Sequence, residues 1–373
     1  MFIMFDSSLT ENLSKQTEQY ENELLALLRD ATNSICHKNH YISTISSSVA
    51  KDFVNFATEK QEKTIANAFQ YIYDKFAIVN SVKENLNYVV SIGIYENAFE
   101  VVSNVIKINY KYALGQHFWD ETSLVLENID DDKYIKSIVD YGKKKPFIQE
   151  MANIEYKYRK EQGGGNININ QTFLARLADH SFILAFLDTD MKCPNDEYGS
   201  TAKNFESDST IAKYRDIFYY IPKVHEIENL FSSDVFMELS KYTPSTRKKI
   251  EELENKNITD SNLFRAFLDI KKGYTYKTLN NEYLKNLFEI RNYTPVCEKN
   301  PPCPCSEKGC SHKLLEAGER TYLSDIFNNS DLSDKFDSAA SSLIPEIETE
   351  WKNIYKIFIT SCCCNSDKII GVN

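Results

Sequence analysis

Phe182-Ile-Leu-Ala-Phe-Leu-Asp-Thr-Asp190 decides the reading of this chain: six apolar residues run straight into two carboxylates, and Met191, Lys192 and a Pro-Asn-Asp turn follow. A short apolar run closed by turn residues predicts a strand buried on both faces. The carboxyl end of such a strand is where open α/β sheets place their chemistry. Asp188 and Asp190 at that edge are candidate Mg²⁺ ligands.

Upstream, Ser123-Leu-Val-Leu-Glu127 is a second short apolar strand ending on an acid, and Asn128-Ile-Asp-Asp131 then opens a helix. Asp130 suits the N-cap, while Tyr134, Ile135, Ile138 and Val139 recur on one helical face. Lys143 to Lys145 follow, then Pro146-Phe-Ile as a candidate strand, then Gly163-Gly-Gly-Asn-Ile, whose glycines let backbone turn sharply or approach a ligand. Gln171 to Asp179 reads as a crossover helix. The order predicts a parallel sheet with right-handed crossovers. A fourth strand, Ile217-Phe-Tyr-Tyr-Ile-Pro222, again runs into acids, Glu226 and Glu228, with His225 before them and Asn229 after.

These residues resemble the Toprim (topoisomerase-primase) domain, in the form found in overcome-lysogenisation-defect nucleases and related bacterial defence proteins. The resemblance rests on Leu124-Val-Leu-Glu127-Asn-Ile-Asp-Asp131, Gly163-Gly-Gly-Asn-Ile, Leu187-Asp-Thr-Asp-Met-Lys192 and His225-Glu-Ile-Glu-Asn-Leu230, and spans residues 120–235. Asn128 stands where the family has glycine. The resemblance implies that Glu127, Asp188 and Asp190 bind Mg²⁺ or Mn²⁺, with Asp131 and Glu228 completing a second ion and Glu226 as the alternative to Glu228. Hard oxygen ligands suit such ions, and a pair roughly 4 Å apart can clamp the attacking and leaving oxygens of a phosphodiester. Lys192 either contacts the scissile phosphate or is a solvated turn lysine. Glu226 and Glu228 serve equally well at a helix start, where acids favour the N-terminal dipole.

The chain of 373 residues is 42% hydrophobic, enough for two or three units, and carries a net charge of −11. That balance does not attract nucleic acid in bulk, so local basic groups at 143–145, 157–160 and 247–249, or a basic partner, must supply the attraction. Neither a signal peptide nor an apolar run near the ~20 residues of a membrane span is evident, so a cytoplasmic protein without membrane attachment is expected.

Residues 1–115 read as a helical region, from Leu24, Leu25, Leu27 and Leu28 and from Ile65, Phe69, Ile72 and Phe76 at helical spacing. Residues 116–238 read as the Toprim-like α/β domain. Residues 239–373 read as mostly helical, interrupted by a Cys-rich loop at 297–312. Cys297, Cys303, Cys305, Cys310 and His312 form a tetrahedral Zn²⁺ site, a plain cysteine-rich loop or a redox element. Cys362, Cys363 and Cys364 read as packed thiols.

The expected activity is metal-dependent endonucleolytic hydrolysis of DNA or RNA. No Walker A pattern occurs, and the resemblance therefore implies a toxic anti-phage effector controlled by a separate ATPase or sensor subunit. The alternative is a non-catalytic interaction subunit of a defence complex.

Overall fold

The computed structural model describes residues 1–11, 13, 17–115, 117–162, 168–231, 264–269, 272–275, 282–287, 313–315, 343 and 345–365. The chain is a mixed α/β protein with parallel sheets flanked by helices. It divides into two units: residues 1–187, 208–220 and 352–373 form one, and residues 188–207 and 221–351 the other. This division does not follow the boundaries at 115 and 238 read from the sequence. No helix among the described residues is long and apolar enough to cross a membrane.

The first unit holds two sheets. Strands β1 (Phe2–Phe5), β2 (Tyr41–Thr44), β3 (Val89–Gly93), β4 (Phe99–Val102) and β5 (Val105–Asn109) lie in the order β2-β1-β3-β5-β4, with only β4 antiparallel. Around them run α1 (Glu18–Cys36), α2 (Ser47–Glu59) and α3 (Lys63–Lys83), the first two capped by the side chains of Thr17 and Ser46. The leucine stripe of α1 and the Ile65, Phe69, Ile72 stripe of α3 are buried, as their spacing requires. Phe5 of β1 meets the rings of Phe53 and Phe69 at 5.5 and 5.7 Å.

Residues 1–115 are therefore α/β, with a five-stranded sheet, and not the helical region that the sequence leads one to expect. The central strands are four or five residues long and buried on both faces, so Phe-Ile-Met-Phe and Val-Val-Ser-Ile-Gly show no alternation to mark them as strands. The amphipathic helices between them carry the stronger signal.

The second sheet is built as the acid-tipped strands predict. Strands β6 (Thr122–Leu126), β8 (Tyr158–Gln162), β9 (Ile183–Phe186) and β10 (Tyr219–Tyr220) lie in the order β10-β9-β6-β8, all parallel. Helices α4 (Asp131–Lys144), α5 (Asn168–Ala178), α6 (Ser200–Ser207) and α7 (Ser209–Ala212) lie in the connections. From β6 the chain crosses to β8 on one side and then to β9 on the other, which makes the carboxyl ends of β6 and β9 the switch point of the sheet.

The segment Pro146-Phe-Ile is not a strand. Pro146 has no N–H to give a ladder, and Phe147 packs edge-on against Tyr355 at 5.7 Å, so the second strand falls at β8 instead. A two-stranded antiparallel pair joins β7 (Glu155–Tyr156) to β13 (Cys363–Cys364).

In the second unit the described pieces are the loop and helix 188–207, residues 221–231 with a 3₁₀ turn at Ile227–Leu230, a further 3₁₀ turn at Phe264–Phe267, and helix α8 (Glu282–Leu287). A short pair β11 (Tyr274–Thr275) and β12 (Lys313–Leu315) and the start of helix α9 (Pro345–Cys362) complete them. Trp351 is buried, lies with its ring tilted at 5.7 Å from that of Phe231 and donates its indole N–H to the Leu230 carbonyl at 2.7 Å. The Gly163–Ile167 loop, the basic group 247–249 and the Cys297–His312 zinc candidate lie outside the described residues.

Candidate functional site

Each unit contributes acids that the sequence singles out. In the first unit, Glu127 leaves β6 half-buried, and Asn128 shapes the turn that follows. The Asn128 side-chain oxygen accepts from the Asp130 N–H at 3.2 Å, and its backbone N–H donates to the Asp131 carboxylate at 3.3 Å. Asparagine thus makes an Asx-type turn where the resembled family uses glycine. Asp130 occupies the N-cap position of α4, yet its side chain does not cap. Asp131 is buried in the first turn of α4.

Asp132, which sequence reading passed over, is buried and takes two partners from β8: the Tyr158 hydroxyl at 2.5 Å and the Lys160 ammonium. Cations on and near that strand are paired as well. Lys157 meets Glu121 at 2.9 Å, and Arg159 meets Glu161 at 3.0 Å. Lys143 meets Glu155 at 3.5 Å. The 157–160 cations are thus each paired with a carboxylate.

In the second unit the Asp188–Met191 loop is latched to residues 224–227. Asp188 is half-buried, and its carboxylate accepts from the Ile227 N–H at 3.0 Å. The buried Thr189 hydroxyl donates to the Val224 carbonyl and accepts from the Met191 N–H at 3.1 Å. Asp190 is exposed and sits in the left-handed region at φ 52°, with its N–H donating to the His225 carbonyl at 2.8 Å. A non-glycine residue held there marks a backbone conformation imposed by its surroundings. Gly199 lies so close that a β-carbon on it would overlap Asp190, and its N–H donates to the Thr189 carbonyl at 2.7 Å.

This latch brings Asp190, His225 and Glu226 together, with one ligand-capable atom from each within 4.8 Å of the others. His225 is buried. Its Nδ1 lies 2.8 Å from the Met191 carbonyl, and its Nε2 lies 3.8 Å from the Asp269 carboxylate. Burial pulls the imidazole pKa down, but Asp269, Glu226 and the Met191 carbonyl outweigh it and leave His225 raised above its ordinary value. Burial likewise pushes Asp269 up, and His225 with the Lys272 N–H and ammonium bring it below the usual carboxylate range.

Glu226 caps the 3₁₀ turn, its N–H donating to the Asn229 side chain at 3.1 Å, while Glu228 is buried within that turn. Lys192 is exposed, and its backbone N–H donates to Asp196 at 3.0 Å. A cleft of about 450 Å³, in the range of small-ligand sites, opens beside Met191, lined also by Tyr198, Lys223, Phe267 and Glu350.

His225, Asp269, Thr189 and Gly199 were missed as site residues from sequence. His225 had a signal, an imidazole directly before an acid at a strand exit. Asp269 had none, being dozens of residues away in an unrelated segment. Cys362, Cys363 and Cys364 are buried thiols, and burial raises all three, Cys364 to about 11. They are inert packing groups.

Neither a scan against protein-family models nor searches of curated proteins and of solved structures finds a match to this chain.

Proposed function

We propose that this chain is a Toprim-type, metal-dependent nuclease that hydrolyses phosphodiester bonds, acting in the cytoplasm as the toxic effector of an anti-phage system under a separate ATPase or sensor subunit. The observation that carries this is the Asp188-Thr-Asp190 loop. It leaves a parallel strand at the sheet's switch point, and backbone and threonine hydrogen bonds fix it against an acid-rich segment.

The donor set fits a hard or borderline divalent cation. Asp190, His225 and Glu226 converge, Asp190 is open to solvent, and Asp188 and Glu228 lie on the same two segments. The resemblance adds Glu127 and Asp131. The chemistry supplied by bound Mg²⁺ or Mn²⁺ is Lewis-acid activation of water and neutralisation of charge at the phosphate. The protein's own part is positional: Thr189 fixes the loop backbone and the Ile227 N–H holds the Asp188 carboxylate. Lys192, exposed on the same loop, is proposed to meet a substrate phosphate.

Incubating purified protein with DNA and RNA pools in Mg²⁺ or Mn²⁺, with Asp188→Ala and Glu127→Ala alongside, tests the proposal. Cleavage by wild type alone supports it, as does growth arrest on expression that both variants relieve. Equal cleavage by all three rejects the assigned residues.

The pairing of the 157–160 cations with carboxylates favours a second reading, in which the chain is a non-catalytic interaction subunit. Metal binding with neither cleavage nor toxicity in any condition is its signature.

A further inference from the structure

We infer that His225 is a nitrogen ligand which, together with Asp190 and Glu226, forms a mixed nitrogen and oxygen cation site that selects Mn²⁺ or a similar borderline transition metal over Mg²⁺. This rests on the metal-loop reading of Asp188–Asp190, though not on any cleavage reaction.

The first ground is convergence: the three side chains each offer a ligand atom within 4.8 Å of the other two. The second is the state of the imidazole. A carbonyl oxygen only accepts, so the 2.8 Å contact between Nδ1 and the Met191 oxygen places a proton on Nδ1, and Nε2 is the nitrogen at which a cation can take a proton's place. Ligating histidines commonly have this arrangement, the non-ligating nitrogen donating to a backbone carbonyl that fixes ring and tautomer. Third, Nε2 is buried and has no hydrogen-bond partner among the described residues, because the Asp269 carboxylate at 3.8 Å lies beyond hydrogen-bond reach. A buried nitrogen that faces a carboxylate is suited to exchange its proton for a cation.

The backbone supports the same conclusion. Met191, whose carbonyl orients the ring, follows Asp190, and the Asp190 N–H is itself bonded to the His225 carbonyl at 2.8 Å. Ring and carboxylate are thus locked into one reciprocal unit. Imidazole is a poor partner for Mg²⁺, which demands an octahedron of oxygens, whereas Mn²⁺ accepts nitrogen and oxygen alike.

The test is Mn²⁺ titration of the metal-free full-length chain, followed by pulsed electron paramagnetic resonance of the bound ion. Wild type is expected to show ¹⁴N hyperfine coupling from imidazole. His225→Gln is expected to abolish that coupling and weaken Mn²⁺ on the order of tenfold or more, with Mg²⁺ affinity changed far less. Absence of the coupling in wild type, or its persistence in His225→Gln, overturns the inference.

Asp190→Asn, whose asparagine tolerates the left-handed backbone, provides a second check should His225→Gln fail to fold. It is expected to weaken Mn²⁺ while the coupling survives at saturation, and an unchanged affinity counts against the site. Coupling in a protein that cleaves no nucleic acid upholds this site and overturns the nuclease proposal. Cleavage without coupling does the reverse.

Discussion

The backbone N–H of Asp190 donates to the carbonyl oxygen of His225 at 2.8 Å, and the Met191 carbonyl receives the His225 ring in return. Two loops far apart in the chain are thereby held as one unit, and the carboxylate of Asp190 inherits its direction from residues 224–226. Substitutions that leave the acids untouched are therefore expected to disturb the metal loop.

Thr189→Val is the mildest such change, since it keeps the shape and deletes the hydroxyl. The Val224 carbonyl and the Met191 N–H would each lose a buried partner, at a cost of about 1–3 kcal/mol apiece. Denaturant melts are expected to show this loss, and Mn²⁺ titration a weaker affinity. A variant as stable and as tightly binding as wild type would show that the hydroxyl does not hold the loop.

Gly199→Ala acts from the other side. The added β-carbon would lie 2.6 Å from the Asp190 β-carbon, an atom that no rotamer change can move away. The backbone must shift, with a destabilisation of about 1–3 kcal/mol and weaker cation binding as the expected result. Calorimetric titration of Mn²⁺ checks it, and unchanged affinity speaks against the close packing.

Acid stability depends on Glu161 in the first unit. Burial pushes its carboxyl up, but bonds from Arg176 at 2.8 Å and Ser123 at 2.8 Å, with the charges of Arg176 and Arg159, bring it below the usual range. The sign follows from linkage: a folded pKa below the unfolded one gives stability that is present above the unfolded value of about 4.5 and lost as pH falls through the folded value. Thermal melts from pH 6 downward are expected to show this loss in wild type and a shallower decline in Glu161→Gln. Parallel declines would remove Glu161 from the acid response.

Much of the second sheet is legible in the sequence. β6, α4, β9 and β10 follow from apolar runs ending on acids and from the Tyr134, Ile135, Ile138, Val139 stripe. β1, β2 and β3 are not legible, because strands of four or five residues buried on both faces carry no period. The Asp188 and Asp190 pair was visible as acids at a strand tip. His225 was visible only as a letter beside Glu226, since its role depends on the Met191 carbonyl. That contact arises from folding two loops together, and no spacing rule encodes it. Asp132 was hidden for a similar reason, its partners Tyr158 and Lys160 lying on a strand that the sequence reading placed elsewhere.

The proposal that Asp188 and Asp190 serve one hydrolytic metal site is tested most directly by a double-mutant cycle on kcat/KM for a labelled nucleic-acid substrate. Asp188→Asn keeps an acceptor for the Ile227 N–H, and Asp190→Asn keeps the left-handed backbone, so both variants are expected to fold. Each is expected to lose about a hundredfold, equivalent to ~2.7 kcal/mol of transition-state stabilisation, and the double variant is expected to lose little more than the worse single. Losses that simply multiply, or rates equal to wild type, would contradict a shared metal site.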